Sequence, residues 1–242
     1  MKTVGLTILF IFGMAVGLVL APVIFLWALL KGARPIHFDG AVCRAQLTAI
    51  DPVAGRRLEG PCLARLSGGL GKENSTGKDV LGFSVRCQKE ASDDLTVGDQ
   101  DLVFGTFKSF LSLPGTIGSV KVADYLANEY SSVTPWRVAD FGTVTLRARP
   151  PRTEPRDGDN RLARLDADLA DGTATFTIEG RRGDAWAALA TLTLVQRLPA
   201  NGNALRISML NTGRRYVPTG ARNGIRAIVY PVSQLARRLR SG

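Results

Sequence analysis

Residues 79–86 read Asp79-Val80-Leu81-Gly82-Phe83-Ser84-Val85-Arg86, an apolar run with a charged residue at each end. A run of this length, with apolar and aromatic residues, predicts a buried β-strand over residues 80–87. Because many buried strands have this composition, the meaning of the run depends on the segments that precede and follow it.

Alternating apolar and polar residues predict further short strands on both sides of this run. They cover residues 41–50, 63–67, 102–107, 142–149, 164–169, 173–179, 186–197 and 205–210. Helical patterns predict one helix within residues 119–133 and another over residues 223–239, with a kink at Pro231. The pairs Asp171-Gly172 and Asn201-Gly202 are typical of hairpin turns. Sequential short strands favour a mainly β (α+β) fold, a closed antiparallel β-barrel with a few edge helices, because closure leaves no exposed strand edge.

The N-terminal segment predicts a transmembrane helix in front of this barrel. From Val4 to Leu30 the chain has 27 residues without a charge, enough to cross a hydrocarbon core of about 30 Å. A cleaved signal peptide is the alternative, but its apolar core usually has only about 7–15 residues and ends in small residues. We therefore expect a retained single-pass anchor over residues 1–31 and a separate domain over residues 32–242.

The charges that flank the anchor favour one orientation. Lys31 and Arg34 follow the apolar segment, whereas only Lys2 precedes it. Since cytoplasmic flanks carry more Lys and Arg than external ones, we expect the domain to be cytoplasmic.

The chain is strongly basic, with 31 Lys and Arg against 21 Asp and Glu and a formal net charge of +10. The basic residues are spread along the chain, with a cluster at Arg237, Arg238 and Arg240, which fits a surface that faces anionic lipid headgroups. No nucleic-acid recognition module or basic patch with interleaved aromatic residues is visible. We therefore expect the lipid bilayer as a partner, and no nucleic acid.

Common catalytic and metal-binding patterns are missing from the sequence. The three cysteines have no metal-site spacing, and their odd number argues against a disulfide framework. His37 is the single histidine, so no histidine-based triad can be assigned. There is no Walker loop and no GxGxxG motif, so the sequence does not predict a nucleotide-binding enzyme.

Four short patterns follow one another along the chain, and their joint order is more informative than any one of them. They are Arg34-Pro35-Ile36-His37, Ala64-Arg65-Leu66-Ser67, residues 79–86 with Asp94-Leu95-Thr96-Val97-Gly98-Asp99, and Arg226-Ala227-Ile228-Val229-Tyr230. In this order they resemble the motifs of the haem-dependent catalase superfamily, over about residues 34–107 and again over residues 226–230. The chain resembles short bacterial catalase-like proteins more than full-length catalases.

The resemblance implies haem b as cofactor, with Tyr230 as the iron ligand and Arg226 as its charge partner. A phenolate is a strong anionic ligand for ferric haem, but a free tyrosine is protonated at neutral pH. Arg226 lies one helical turn before Tyr230, so its guanidinium would share the same helix face and favour the phenolate.

On the opposite side of the haem, the resemblance implies His37 as the base that moves a proton between the two peroxide oxygens. Ser67 matches the family serine that hydrogen-bonds this histidine. Arg34 and Arg65 match basic positions near the haem propionates, where a bidentate guanidinium suits a carboxylate.

Two positions match the family pattern less closely. The family's distal asparagine, a catalytic position, falls on Asp99, and an ionised carboxylate cannot donate the hydrogen bond that an amide gives to bound peroxide. This departure argues against fast peroxide dismutation. Phe104 is the candidate for the aromatic residue that stacks on haem, with Phe107 and Phe110 as alternatives.

Together with the predicted anchor, the resemblance implies a membrane-anchored haem protein that acts on hydrogen peroxide or on organic or lipid hydroperoxides, as a catalase-like or peroxidase-like enzyme. The linker from Leu30 to His37 spans at most about 25 Å, which keeps the distal side near the bilayer and favours a lipid hydroperoxide. Two alternatives stay open: a non-catalytic binding module with the catalase fold, and an anchored scaffold without haem that recruits partners through its basic surface.

Overall fold

The structure, a computed structural model, describes residues 2–31, 40–69, 77–107, 118–199 and 204–241. Within these ranges the strands are β1 (Ala41–Ala49), β2 (Gly60–Gly68), β3 (Leu81–Cys87), β4 (Gln100–Gly105), β5 (Tyr130–Val138), β6 (Gly142–Arg149), β7 (Thr175–Arg182), β8 (Ala185–Arg197) and β9 (Tyr216–Pro218). The α-helices are α1 (Lys2–Lys31), α2 (Ala54–Leu58), α3 (Arg161–Ala170) and α4 (Ala221–Ser241).

The strands β1 to β8 close into an antiparallel barrel. Neighbouring strands follow the order β4-β3-β2-β1-β8-β7-β6-β5, and Gly105 of β4 pairs with Ser131 of β5 to complete the ring. The short strand β9 pairs with the far end of β5, where Trp136 lies opposite Pro218. The predicted closed antiparallel barrel with few helices is therefore confirmed, and closure pairs the backbone groups that an open sheet would expose.

Strand alternation separates the barrel interior from its outer face. The interior holds one apolar cluster with members from every strand of the ring, among them Leu47, Ala64, Phe83, Phe104, Tyr130, Leu146, Phe176 and Leu192. The rings of Phe83 and Phe176 stack with their centroids 4.9 Å apart. Burial of such side chains contributes about 1.5–3 kcal/mol each, so the interior cluster is the main source of stability.

The helix predicted within residues 119–133 is wrong. This segment forms a single 3-10 turn at Tyr125–Ala127 and then enters β5 at Tyr130. The Asp124 carboxylate accepts a hydrogen bond from the backbone N–H of Leu126, which fixes the turn. The apolar spacing that suggested a helix instead reflects burial of Tyr125 and Tyr130 in the barrel interior.

The strand predicted over residues 164–169 is also wrong, because this segment lies in α3. The Asn160 side chain accepts hydrogen bonds from the N–H groups of Leu162 and Ala163, which caps the helix start. Asp171-Gly172 then ends α3, where Gly172 has a positive φ of 67°, and does not form a hairpin turn.

Two further sequence predictions concern the segment after β8. Residues 205–210 were predicted as a strand but have no regular secondary structure, and β9 lies further along the chain. Asn201-Gly202 lies outside the described residues. The predicted C-terminal helix is confirmed as α4, which contains Pro231 inside its length.

Helix α1 is long and apolar enough over Val4–Leu30 to cross a membrane, and a signal sequence would pass the same test. In the structure α1 packs along α4, with Phe10 against the interior apolar cluster. Ala227 of α4 belongs to that cluster and Tyr230 packs against it, so α4 contacts both α1 and the barrel.

Candidate functional site

A flat strip crosses the outer face of β1 to β4. Leu66, Phe83 and Phe104 point into the barrel, so their neighbours Ser67, Gly82 and Gly105 lie on the outer face. Ser67 pairs with Gly82, and Gly82 pairs with Gly105. Gly40 lies beside Ser67, because a Cβ added at Gly40 would be 2.9 Å from the Ser67 Cβ. We call Gly40, Ser67, Gly82 and Gly105 the small-residue row.

Arg65 and Phe107 border the small-residue row. The Arg65 side chain is buried, and its Nη2 lies 3.1 Å from the position that a Cβ on Gly40 would take. The Phe107 ring lies over the outer side of Gly105, 2.9 Å from the corresponding Cβ position. The row is therefore flanked by a guanidinium and an aromatic ring.

Tyr230 reaches the same outer face from α4. It packs against an outer apolar cluster formed by Val42, Leu63, Leu198, Leu205 and Ile207. Val42 is the register partner of Arg65, so this cluster lies next to the small-residue row. Among the described residues, the Tyr230 hydroxyl has no hydrogen-bond partner.

Arg226 precedes Tyr230 by one turn of α4, which puts both side chains on one side of the helix. Its Nη1 donates a hydrogen bond to Oδ1 of Asn223 over 3.3 Å. Asn223 is fully buried and also donates from Nδ2 to the Thr219 carbonyl. The start of α4 is thus fixed by a short polar chain that ends at Arg226.

The other end of the same outer face is closed by ion pairs. Arg86 donates from Nε to Oδ1 of Asp101 over 2.8 Å and from Nη2 to Oδ2 over 2.7 Å. Both side chains are buried, at 3% and 0% exposure. Asp101 also accepts hydrogen bonds from the Ser208 N–H and the Asn211 amide. This fork-to-fork pair satisfies each buried charge.

Asp99 belongs to this closed end. Its Oδ1 accepts a hydrogen bond from Nε of Arg214 over 3.0 Å, and its N–H donates to the Cys87 carbonyl. Arg214 also donates to the carbonyls of Leu58, Glu59 and Gln88. Asp99 precedes Gln100, the register partner of Cys87, so it lies six residue levels from Gly82 along the strands, about 20 Å at 3.3 Å per residue.

We refer to Arg86–Asp101 and Arg214–Asp99 as the ion-pair end. Two thiols are buried beside it, since Cys62 and Cys87 are register partners at this level. Burial raises the pKa of the Cys87 thiol to about 12, with Arg214 opposing the shift and Asp99 adding to it. These thiols are therefore protonated at neutral pH and are poor nucleophiles.

The structure brings some of the predicted site residues together and separates others. Arg65, Ser67 and Tyr230 share the outer face, with Arg226 beside Tyr230. Phe104 faces the barrel interior, where it stacks on Phe83 at 5.7 Å. Asp99 lies at the ion-pair end, and Arg34, His37 and Phe110 lie outside the described residues.

Sequence reasoning missed the small-residue row and the ion-pair end. The row has a signal in the sequence, since Ser67, Gly82 and Gly105 each precede or follow an interior residue of a strand. The Arg214 contacts had none, because they join residues more than 100 positions apart. No group of three or more His, Cys, Asp or Glu side chains that could hold a metal ion occurs in the described part of the chain.

Comparison with solved structures identifies the fold. The chain is similar to the "Structure of a bacterial catalase", with a TM-score of 0.56 and 12% sequence identity. The match covers 85% of this chain and 57% of that catalase, so this chain corresponds to a little over half of its length. No protein-family model and no curated protein matches the sequence. The fold is therefore catalase-like.

Proposed function

We propose that the chain is a membrane-associated haem protein that acts on hydrogen peroxide or on organic or lipid hydroperoxides. The observation that carries this proposal is Tyr230, a partly buried phenol without a hydrogen-bond partner among the described residues, on the face that bears the small-residue row. The Tyr230 hydroxyl is not fully buried, so it is accessible to a ligand at the surface of the chain.

Two features of the described residues support a planar tetrapyrrole as the proposed ligand. The small-residue row provides a strip without projecting side chains, where any larger residue at Gly40 would collide with the backbone oxygen of Leu66. Arg65 lies at the edge of this strip and is suited to a propionate, because a guanidinium binds a carboxylate through two parallel hydrogen bonds. Haem, when bound, supplies the redox-active iron that hydroperoxide chemistry requires.

On the proximal side, Tyr230 would hold the iron as its phenolate. By the resemblance, Arg226 would be the charge partner of Tyr230, one turn earlier on the same side of α4. Asn223 keeps the Arg226 guanidinium at the start of α4 through the hydrogen bond to its Oδ1. The hydrogen bond to Asn223 thus fixes where the Arg226 guanidinium lies relative to the helix.

On the distal side, the proposal assigns proton transfer to His37 and anion binding to Arg34. Both precede Gly40, where the chain enters β1 beside Arg65 and Ser67. Ser67 would orient the imidazole through its hydroxyl. Asp99 has no part in this proposal, because it is held by Arg214 at the ion-pair end.

The substrate follows from the position of the chain at a membrane. The apolar helix α1 associates with the bilayer. The few residues between α1 and β1 keep the distal side near lipid. Hydroperoxides of membrane lipids are therefore the preferred substrates over freely diffusing hydrogen peroxide.

Absorption spectroscopy of the full chain, produced with added haem and purified in detergent, tests the proposal. We expect a Soret band, and Tyr230→Phe should abolish the spectrum of a phenolate-bound ferric iron. Tyr216→Phe is the matched control, because Tyr216 donates its hydroxyl hydrogen bond to the Ala54 carbonyl, away from the site. A folded chain with no Soret band would overturn the proposal.

A haem-free binding module is the second candidate, and one observation favours it. Val42 and Leu63 on the outer face are almost fully buried, at 0% and 1% exposure, in a cluster with Leu198, Leu205 and Ile207 of the same chain. A barrel that fills part of its outer face in this way needs no prosthetic group there. A chain that lacks a Soret band and whose unfolding temperature does not change on addition of haem would support this candidate.

A further inference from the structure

Helices α1 and α4 run parallel along most of their lengths. Near their starts, the N–H of Gly220, which precedes α4, donates to the Leu6 carbonyl over 3.2 Å. Near their ends, Nη1 of Arg240 donates to the Leu29 carbonyl over 2.9 Å and also contacts the Leu30 carbonyl. Arg240 thus satisfies carbonyl groups at the C-terminus of α1 that have no partner within the helix.

Glycines allow the two helices to approach closely. A Cβ at Gly224 would lie 2.0 Å from the Phe10 carbonyl oxygen, and a Cβ at Gly13 would lie 1.9 Å from that of Ala221. Gly17, one turn after Gly13, faces Ile228 in the same way at 2.9 Å. A Cβ cannot lie within 3 Å of backbone atoms, so any side chain at Gly13 or Gly224 would force the two helices apart. The close pairing therefore depends on glycine at these positions. The spacing Gly13-x-x-x-Gly17 is that of close helix pairs.

This pairing conflicts with a spanning position for α1. If Val4–Leu30 crossed a bilayer, Gly17 would lie at its centre, and the adjacent Arg226 of α4 would lie at the same depth. Arginine at that depth is costly. The barrel would be immersed as well, because α4 packs on it through Ala227 and Tyr230.

The side of α1 that faces away from α4 still needs an apolar partner. Its exposed large apolar side chains are Val4, Ile8, Leu9, Ile11, Phe12, Leu18, Val19, Leu20, Val23, Leu26, Trp27 and Leu30. We call these residues the apolar ridge. They extend along a helix of 30 residues, about 45 Å long, and soluble proteins rarely expose an apolar surface of this size.

We propose that α1, docked on α4, lies along the membrane surface and immerses the apolar ridge in one leaflet, so that both ends of α1 stay on the side of the barrel. The proposal rests on the membrane association in the proposed function and specifies its geometry. An interfacial helix normally needs a polar face towards water. Here α4 covers that face of α1, which explains how a uniformly apolar helix can lie in the interface.

The bilayer fits the ridge better than a second protein chain does. The ridge has no charged or hydrogen-bonding side chain except the Trp27 indole, which suits the boundary of the hydrocarbon region. Arg238 and Arg240 are exposed beside its C-terminal end. Their charge suits the anionic headgroups above the leaflet that the ridge enters.

Labelling of single engineered cysteines in vesicles tests this geometry. The full chain would be reconstituted into vesicles of phosphatidylcholine and phosphatidylglycerol, with Lys2→Cys at the start of α1 and Asp184→Cys in the β7–β8 hairpin. The native thiols Cys43, Cys62 and Cys87 are buried and serve as the unlabelled background. A membrane-impermeant maleimide then reports which side of the membrane each engineered site occupies.

We expect the labelled fractions of the two variants to be equal before the vesicles are opened, because both sites lie on one side. A spanning helix would make the two fractions complementary, with Lys2→Cys labelled only where Asp184→Cys is not. That result would overturn the proposal. The haem spectrum does not depend on where Lys2 lies, so failure of one proposal is distinguishable from failure of the other.

A glycine variant tests whether docking on α4 holds α1 in the plane. Gly224→Ala favours helix formation in α4 but places a methyl group against the Phe10 carbonyl oxygen. We expect this variant to release α1 from α4, so that α1 spans the bilayer. Lys2→Cys would then be labelled only where Asp184→Cys is not. Gly5→Ala is the matched control, because a Cβ there meets nothing within 4 Å. Unchanged labelling in Gly224→Ala would overturn the role of docking.

Discussion

The outer face of β1 to β4 has two ends that the same four strands build in different ways. At one end, Gly40, Ser67, Gly82 and Gly105 place only small side chains on the face, and the Phe107 ring lies over Gly105. At the other end, Arg86–Asp101 and Arg214–Asp99 fill the face with charged side chains whose hydrogen bonds are satisfied inside the protein. Backbone pairing is continuous between them, so the difference lies in the side chains alone.

This difference separates a structural role from a binding role. A buried charge with all its hydrogen bonds made has no capacity left for a ligand, whereas Ser67, Gly82 and Gly105 are buried but carry no charge and little side-chain volume. The partly buried Tyr230 approaches the face near the small-residue row, beside the register pair Val42 and Arg65. The proposed ligand site therefore lies at the row, and the ion-pair end contributes to stability.

The largest effect is expected from Asp101→Asn at the ion-pair end. The amide leaves the Arg86 guanidinium buried without a counter-charge, so the free energy of unfolding should fall by about 3–5 kcal/mol. Denaturant unfolding of the full chain in detergent measures it. Asp93→Asn is the matched control, since Asp93 pairs with Arg44 in solvent. Equal effects from both variants would contradict the structural role of the ion-pair end.

The second prediction concerns Gly82→Val in the small-residue row. The valine side chain would project from the middle of the strip, and we expect haem affinity to fall at least tenfold, about 1.4 kcal/mol. Haem titration followed at the Soret band measures it, and thermal unfolding shows whether the chain is folded.

Ser84→Val is the control for this substitution, because Ser84 lies on the same strand and face, two residues beyond the row. If valine at Gly82 prevents folding, Gly82→Ala tests the same point with a smaller side chain. A folded row variant with unchanged haem affinity would show that the strip is not the binding surface.

The barrel could be predicted from the sequence because its signals are local. The alternation that marks residues 142–149 predicts β6 with its exact bounds, and closure follows from a series of short strands. The secondary-structure predictions are wrong where burial in the barrel gives apolar residues a spacing that resembles a different local pattern. The Tyr125 region has helical spacing, yet its apolar residues are buried by the barrel interior and not by a helix face.

The site was predictable only as far as its short motifs extend. Arg65, Ser67 and Tyr230 come from motifs that the fold brings to one face. The order of the motifs along the chain matches Asp99 to the family's distal asparagine. Its position in the structure is set instead by strand register and by the ion pair with the distant Arg214. No local pattern encodes that contact, so the separation of Asp99 from the row could not be predicted.

The third prediction concerns Asp99→Asn at the ion-pair end. Because Asp99 lies about 20 Å from the level of Gly82 along the strands, we expect the haem spectrum and peroxide turnover to stay unchanged. Stability should fall modestly, by about 1 kcal/mol, through loss of the ion pair with Arg214. Absorption spectra and turnover at matched haem content measure the first effect. A clear change in peroxide turnover would contradict this prediction and would indicate that Asp99 acts in the site.

The smallest expected effect is a loss of folding stability at high pH, caused by ionisation of the thiols beside the ion-pair end. Burial raises the pKa of Cys87 to about 12, above its ordinary value of 9.0. The folded state therefore holds this proton more tightly than the unfolded state. The resulting stability is fully present below pH 9 and is lost as the pH rises towards 12.

Alkylation of the native chain measures the state of these thiols. We expect Cys62 and Cys87 not to react with iodoacetamide at pH 8, and to react fully after unfolding, because a buried protonated thiol is a poor nucleophile. Asp101→Asn should expose both thiols at lower denaturant concentration, since it weakens the same end of the barrel. Rapid alkylation of Cys62 and Cys87 in the native chain would mean that the ion-pair end opens readily. That result would contradict the structural role of the ion-pair end.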